Sequence, residues 1–351
     1  MGLKNFRNGD DYKPVALKGL LLICFFFLYS VLLAETKTDT LIYKAWRDTV
    51  RLEKAQIFVI DSNYSLVYNK SKSFQFFKYI PSDLVNLGKA SFSKKNLPGL
   101  AAILAGSAIL MTIDQPAINA AKQFGRYINL DATRKYKTVI KANVCNERID
   151  ILELPQNLNS TMYFIGERWP TLFTATCLKG YGLLKNDYRA RRTSSQLTEA
   201  FLTTTIATQF LKQITGRESP FRATRSGGDW HLLPSHYHDD QTRYDAFPSG
   251  HMALTMATIT ILSGNYPEYK YIKPIGYTLM GLMGYSMLNN EVHWISDFPL
   301  GIAIGYTCGK IALSNNHQVI SKKRASAGRS SSLIPMYLGQ GGIGLSYHAT
   351  F

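Results

Sequence analysis

Apolar runs long enough for helices recur along the chain, separated by polar and aromatic stretches. Runs at 100–113, 162–184, 197–214, 252–262, 271–288 and 298–313 each predict a helix. The first opens at Leu97-Pro98-Gly99 and ends at Asp114-Gln115-Pro116, and its small residues Ala101, Ala102, Ala105, Gly106, Ser107 and Ala108 allow close packing. In 197–214 the expected buried side is Phe201, Thr205, Ala207, Phe210 and Leu211. Lys273 and Pro274 interrupt the start of 271–288, while Pro299, Gly301, Gly305, Cys308, Gly309 and Lys310 punctuate 298–313. The expected fold class is therefore mainly α: a helical bundle over 98–315, preceded by a non-helical extension over 35–97. That extension holds strand-like pieces at 55–60 and 64–68, and residues 131–160 read as a connecting insertion. The insertion's basic start, Arg134-Lys135-Tyr136-Lys137, reads as a solvated face, with a lipid-headgroup contact left open. A basic, Ser-rich linker opens the segment 321–351, and two alternating runs about Gln340-Gly341-Gly342 then read as a β-hairpin. A single hairpin cannot close a barrel.

The N-terminus adds a targeting signal to this picture. Lys4, Arg7, Lys13 and Lys18 precede an apolar run at 19–34, which reads as an export signal cleaved after Ala34 or as an uncleaved anchor. Beyond it, Cys145, Cys177 and Cys308 are too few and too widely spaced for a disulfide framework. Forty Lys and Arg against 24 Asp and Glu give a net charge of +16 across 351 residues. These cations are scattered from Lys4 to Arg329 rather than gathered on one module. That excludes a nucleic-acid reading and suits an anionic membrane surface or phosphorylated lipid. Mean hydropathy of −0.09 favours a bundle resting on a membrane over several full spans.

Three segments carry the chemistry. Phe247-Pro248-Ser249-Gly250-His251 precedes an apolar run: Ser249 can cap the first turn, Gly250 lets backbone N–H groups approach an anion, and His251 follows beside them. In His293-Trp294-Ile295-Ser296-Asp297, the four-residue spacing predicts a shared helix face on which Asp297 fixes the imidazole tautomer. Lys212 and Arg217 stand near the end of the 197–214 helix. In the loop 215–245, His231, His236, His238, Asp239 and Asp240 lack a fixed scaffold for a metal. They read as a substrate-side loop, and neither metal nor other cofactor is expected.

In order and spacing, the segments resemble the type 2 phosphatidic acid phosphatase (PAP2) superfamily. Its pattern is Lys, six residues, Arg-Pro; then Pro-Ser-Gly-His; then Ser-Arg, five residues, His, three residues, Asp. Lys212 and Pro220 match the first block, 248–251 the second, and Ser286, His293 and Asp297 the third. Ser219 and Met287 stand where the pattern has arginines, and neither side chain can hold phosphate as a planar fork does. Arg217 or Arg222 is the expected replacement, with Asn289 or Asn290 as a neutral donor near the other position.

The resemblance implies a metal-independent phosphatase acting on phosphomonoesters or pyrophosphates of membrane lipids. His293, oriented by Asp297, would attack phosphorus and form a phosphohistidine. His251 would protonate the leaving oxygen, while Lys212, Ser249, Gly250 and Arg217 or Arg222 held the phosphate. A mildly acidic to neutral optimum follows. The alternative is a catalytically impaired relative that binds anionic lipid phosphates. The expected setting is an exported, membrane-associated one, in a bacterial periplasm or cell envelope.

Overall fold

The computed structural model describes residues 55–61, 64–70, 74–144, 147–235, 237, 240–315, 318–321, 330–338 and 342–350. The segment 1–34 expected to be an export signal or anchor, Cys145, His236, His238 and Asp239 lie outside them. The described residues divide into two units.

The unit within 70–316 is helical. Its helices are α1 (Ile80–Ser91), α2 (Leu97–Met111), α3 (Asp114–Tyr127), α4 (Leu158–Phe164), α5 (Arg168–Leu184), α6 (Tyr188–Thr215), α7 (Gly250–Asn265), α8 (Ile272–Asn289) and α9 (Phe298–Ser314). A hairpin of β3 (Tyr136–Val144) and β4 (Glu147–Pro155) interrupts the series. The second unit lies within 37–69 and 317–351. In it β1 (Ala55–Val59), β2 (Tyr64–Asn69) and β5 (Gln318–Ser321) form an antiparallel sheet. Strands β6 (Ser330–Leu338) and β7 (Gly342–Thr350) pair as the expected hairpin, with Leu338 opposite Gly342.

Helix α7 is the centre of the helical unit, and its residues Met252 to Ala257 are all buried. An apolar helix without a polar face must be covered on every side. Met252, Met256 and Ile259 pack against Met280, Met283 and Met287 of α8 and Tyr163 of α4. Ala257 and Ile261 meet Leu197 and Ala200 of α6, and Ala312 and Leu313 of α9. The α9 glycines read above as interruptions instead form a contact face. A Cβ at Gly301 or Gly305 would collide with the carbonyl oxygens of Ser249 or Ala253, and one at Gly309 would lie 2.8 Å from Thr260 Cβ. The backbones of α7 and α9 therefore touch, as small residues at one-turn spacing permit.

Four expectations need correction. The extension is not wholly non-helical, because α1 occupies 80–91 with Pro81 in its first turn. The first helix does end before Asp114, at Met111, but an unexpected helix begins there, and Pro116 stands in the first turn of α3, where proline lacks no needed N–H. The 162–184 run is broken at Gly166. A Cβ there would lie 2.9 Å from His251 Cβ, so the chain turns between α4 and α5 to pass close to that histidine. Finally, the buried face of α6 differs from the expected one: Phe201, Ala207 and Leu211 are only half-buried. Thr203, Thr204, Thr208 and Lys212 are buried, whereas Thr205 and Phe210 are exposed. Two of these threonine hydroxyls bond back to the helix: Thr203 donates to the Glu199 carbonyl at 3.0 Å and Thr208 to the Thr204 carbonyl at 2.9 Å.

Candidate active site

The site forms where the C-terminus of α6, the N-terminus of α7 and the turn before α9 meet. Gly216, at φ 50°, ends α6 and returns its N–H to the Lys212 carbonyl at 2.8 Å. Lys212 in that last turn is buried, and its Nζ lies 2.9 Å from Asp245 Oδ2. Ser249 is the N-cap of α7, its hydroxyl accepting from Met252 N–H at 3.4 Å. The Ser249 N–H donates to the Asp297 carbonyl at 3.0 Å, which joins two of the sequence motifs directly. A Cβ on Gly250 would lie 3.8 Å from Lys212 Nζ, so the ammonium stands beside the first turn of α7. His251 and His293 face each other with ring centroids 5.7 Å apart at 72°.

His293 and Asp297 do not share a helix face. His293 lies in the turn after α8, and Asp297 ends a 3₁₀ turn at 295–297. The imidazole is oriented chiefly by a backbone carbonyl: His293 Nδ1 lies 2.8 Å from Ala246 O and 3.5 Å from Asp297 Oδ2. With Nδ1–H donated to that carbonyl, Nε2 is the nitrogen with a free lone pair. Burial, then the positive charges of Lys212 and His251, holds the His293 pKa well below its ordinary 6.5. Asp297 accepts from Trp294 N–H at 2.7 Å and from Arg217 Nη1 at 2.6 Å. Burial nevertheless lifts its carboxyl to about 6.

Arg217 is not a free phosphate ligand. Its guanidinium is buried behind the histidines, bonded to Asp297, to Asp114 Oδ2 at 2.6 Å, to Ser296 Oγ at 2.7 Å and to the Gly227 carbonyl at 2.9 Å. The two carboxylates offset the cost of desolvating the guanidinium and hold it inside. Arg222 is also turned elsewhere, exposed on a 3₁₀ turn with Nη2 3.9 Å from Asp240. Met287 is wholly buried among the α7 and α8 methionines, its sulfur 3.9 Å from the Ser249 hydroxyl. Asn290 bonds to Asn159, and the buried Asn289 amide lines a cavity of about 370 Å³ with Lys122 and Arg126.

Other contributors carried no motif signal. Glu167 approaches His251 Nε2 at 3.7 Å, and Tyr163 lies 4.7 Å from the His251 ring. Burial acts to raise the Glu167 carboxyl, but the His251 hydrogen bond and the charges of His251, Arg134 and Arg168 outweigh it and leave the pKa lowered. Glu218, fully buried, organises the loop between the motifs by accepting from Arg243 Nη2 at 2.6 Å and from Thr224 and Asp229 N–H at 3.0 and 3.1 Å.

A model of the PAP2 superfamily matches residues 195–320, the stretch that contains Lys212, Ser249, His251, His293 and Asp297. These residues belong to the PAP2 superfamily. Over 73 residues the chain is 33% identical to a lipid A 1-phosphatase of Porphyromonas gingivalis, a segment covering 20% of this chain and 16% of that protein. A crystal structure of LpxE from Aquifex aeolicus aligns at 22% identity and TM-score 0.32, over 44% of this chain and 82% of that one. A transmembrane PAP2-type phosphatidylglycerolphosphate phosphatase of Bacillus subtilis aligns at 16% identity and TM-score 0.34, over 67% and 94%. Within the PAP2 segment, α6, α7 and the turn before α9 each bring one motif to the site.

Proposed function

We propose that this PAP2 protein is a phosphatase of lipid phosphates that works through a phosphohistidine. The observation that carries the reading is the facing pair of imidazoles, one with its Nδ1 committed to a carbonyl and its Nε2 free, beside a buried lysine. Resemblance to a lipid A 1-phosphatase supports a lipid substrate. In the first step His293 Nε2 forms a bond to phosphorus as the bridging P–O bond breaks, and the leaving oxygen takes a proton from His251. Water then gives a proton to His251 while its oxygen bonds to phosphorus, the P–N bond breaks, and inorganic phosphate departs. Lys212, the Gly250 N–H and the Ser249 hydroxyl stabilise the non-bridging oxygens. These steps call for no metal.

A membrane-surface location is supported by the apolar side chains that α5 and α6 leave exposed. Phe210 is 62% exposed and Leu184 of α5 86%, while threonines and Lys212 face inward. Among the described residues no single helix is long and apolar enough to cross a membrane. Only α2 and α3 together, bent by 64°, reach that length and composition. An apolar belt on helices that rest at the surface fits both observations. The localisation proposed is exported and membrane-associated.

A second reading, a lipid-phosphate binder without turnover, is favoured by Met287 and by the sequestered Arg217. One experiment separates the two: phosphate release from phosphatidic acid, a lipid A and para-nitrophenyl phosphate, in detergent with chelator, from pH 5 to 8. Release is expected to vanish in His293→Ala, with a phosphohistidine trapped in the unchanged protein. Because burial holds the His293 pKa well below 6.5, the acid limb that its protonation sets is expected below that value. A folded protein that binds these lipids but releases nothing belongs to the second reading.

A further inference from the structure

The insertion whose basic start reads from sequence as a solvated face brings a cation onto Tyr163, the ring that packs on His251. Its entry is tied to the start of α4 at successive points. Asn157 Nδ2 donates to the Thr133 carbonyl at 2.8 Å, Lys135 N–H to the Ser160 hydroxyl at 2.9 Å, and the Tyr136 hydroxyl to the Ser160 carbonyl at 3.2 Å. Arg134 lies between these anchors, so backbone bonds fix its place in the fold. Its guanidinium carbon stands 4.8 Å from the Tyr163 ring centroid and 5.9 Å from that of Tyr136. Tyr163 in turn packs on the His251 ring. A guanidinium resting on an aromatic face keeps its N–H edges available to an anion, and Arg134 remains exposed.

The site has use for such a charge. Lys212 is paired with Asp245, and Glu167 stands by His251, so an incoming phosphate meets two carboxylates as well as the lysine. Arg217 is committed to Asp114 and Asp297. Arg134 already acts on this field, since its charge is among those that lower the Glu167 carboxyl. It reaches the site through Tyr163 and His251, the imidazole that serves the leaving group, and among the described contacts none joins it to His293.

We propose that Arg134, held on Tyr163, is a specificity-determining residue that binds a second anionic group on the leaving side of the scissile phosphate, so that the site prefers diphosphates. The assignment rests on the phosphatase reading above for which side is the leaving side. In that reaction the bond between the terminal phosphorus and the bridging oxygen breaks and His293 takes the terminal phosphoryl group. The departing phosphate accepts the proton of His251 while Arg134 holds its non-bridging oxygens.

The test compares binding of inorganic pyrophosphate and inorganic phosphate by calorimetry to the full chain in detergent, unchanged and as Arg134→Gln and Arg134→Lys. Hydrolysis of farnesyl diphosphate and farnesyl monophosphate is followed in parallel. The unchanged protein is expected to bind pyrophosphate at least tenfold more tightly than phosphate. Arg134→Gln should erase most of that ratio at an unaltered melting temperature, and Arg134→Lys should restore part of it. A ratio near one in the unchanged protein, no measurable pyrophosphate binding, or a ratio that survives in Arg134→Gln overturns the assignment. Preferential, Arg134-dependent binding without hydrolysis of either farnesyl compound would uphold Arg134 as the anion site while removing the phosphatase reading.

Discussion

Arg217 shows how much one residue's role depends on its neighbours. Two residues from the position that resembles a phosphate-binding arginine, it reads as a replacement ligand, but Asp114 makes it a structural ion pair instead. Asp114 lies 103 positions away, a separation that periodicity cannot bridge, and its place beside Pro116 reads as a helix stop. Because Arg217 is shared by two buried carboxylates, Arg217→Met leaves both without a counter-charge. The expected loss is about 3–5 kcal/mol, the usual cost of breaking a buried pair, read as a lowered urea midpoint. Adding Asp114→Asn to that variant should recover part of the loss, and no recovery would count against the shared ion pair. His251, His293, Lys212 and Ser249 were legible because short motifs carry their chemistry locally. Ala246 was not, since a backbone carbonyl that orients an imidazole leaves no residue-type signature.

At the scale of elements, five helices of the bundle lie close to where apolar runs place them, but the faces they turn inward do not follow from those runs. Helix α6 buries a column of polar groups that includes Arg192, Gln196 and Glu199. Glu199 shares Asn315 Nδ2 with Asp83 of α1, at 2.7 and 2.8 Å respectively. Burial first, and then the charge of Asp83, pushes the Glu199 carboxyl up to about 9. The folded form thus holds this proton more tightly than the unfolded chain does. The contribution to stability is complete below the unfolded value near 4.5 and is lost as pH rises toward 9. Glu199→Gln is therefore expected to flatten the fall in melting temperature between pH 5 and 9 and to raise it at pH 9. A fall of undiminished slope in the variant would show that Glu199 does not carry the effect.

For the whole molecule, the exposed apolar side chains of α5 and α6 set the expected surroundings. Phe210→Asp places a charge in the proposed membrane-contacting belt without entering the core. Flotation with anionic phospholipid vesicles should fall several-fold in that variant while its circular dichroism stays unchanged, and equal flotation would place the belt elsewhere. The sequence by itself determined the mainly helical class, the C-terminal hairpin and the PAP2 motifs, because each depends on residues near one another in the chain. Tertiary structure decided which face of α6 is buried, that Arg217 pairs with Asp114 and Asp297, and that Arg134 lies on the Tyr163 ring that packs on His251. These depend on desolvation and charge pairing between distant segments, and only the packed chain brings such segments together.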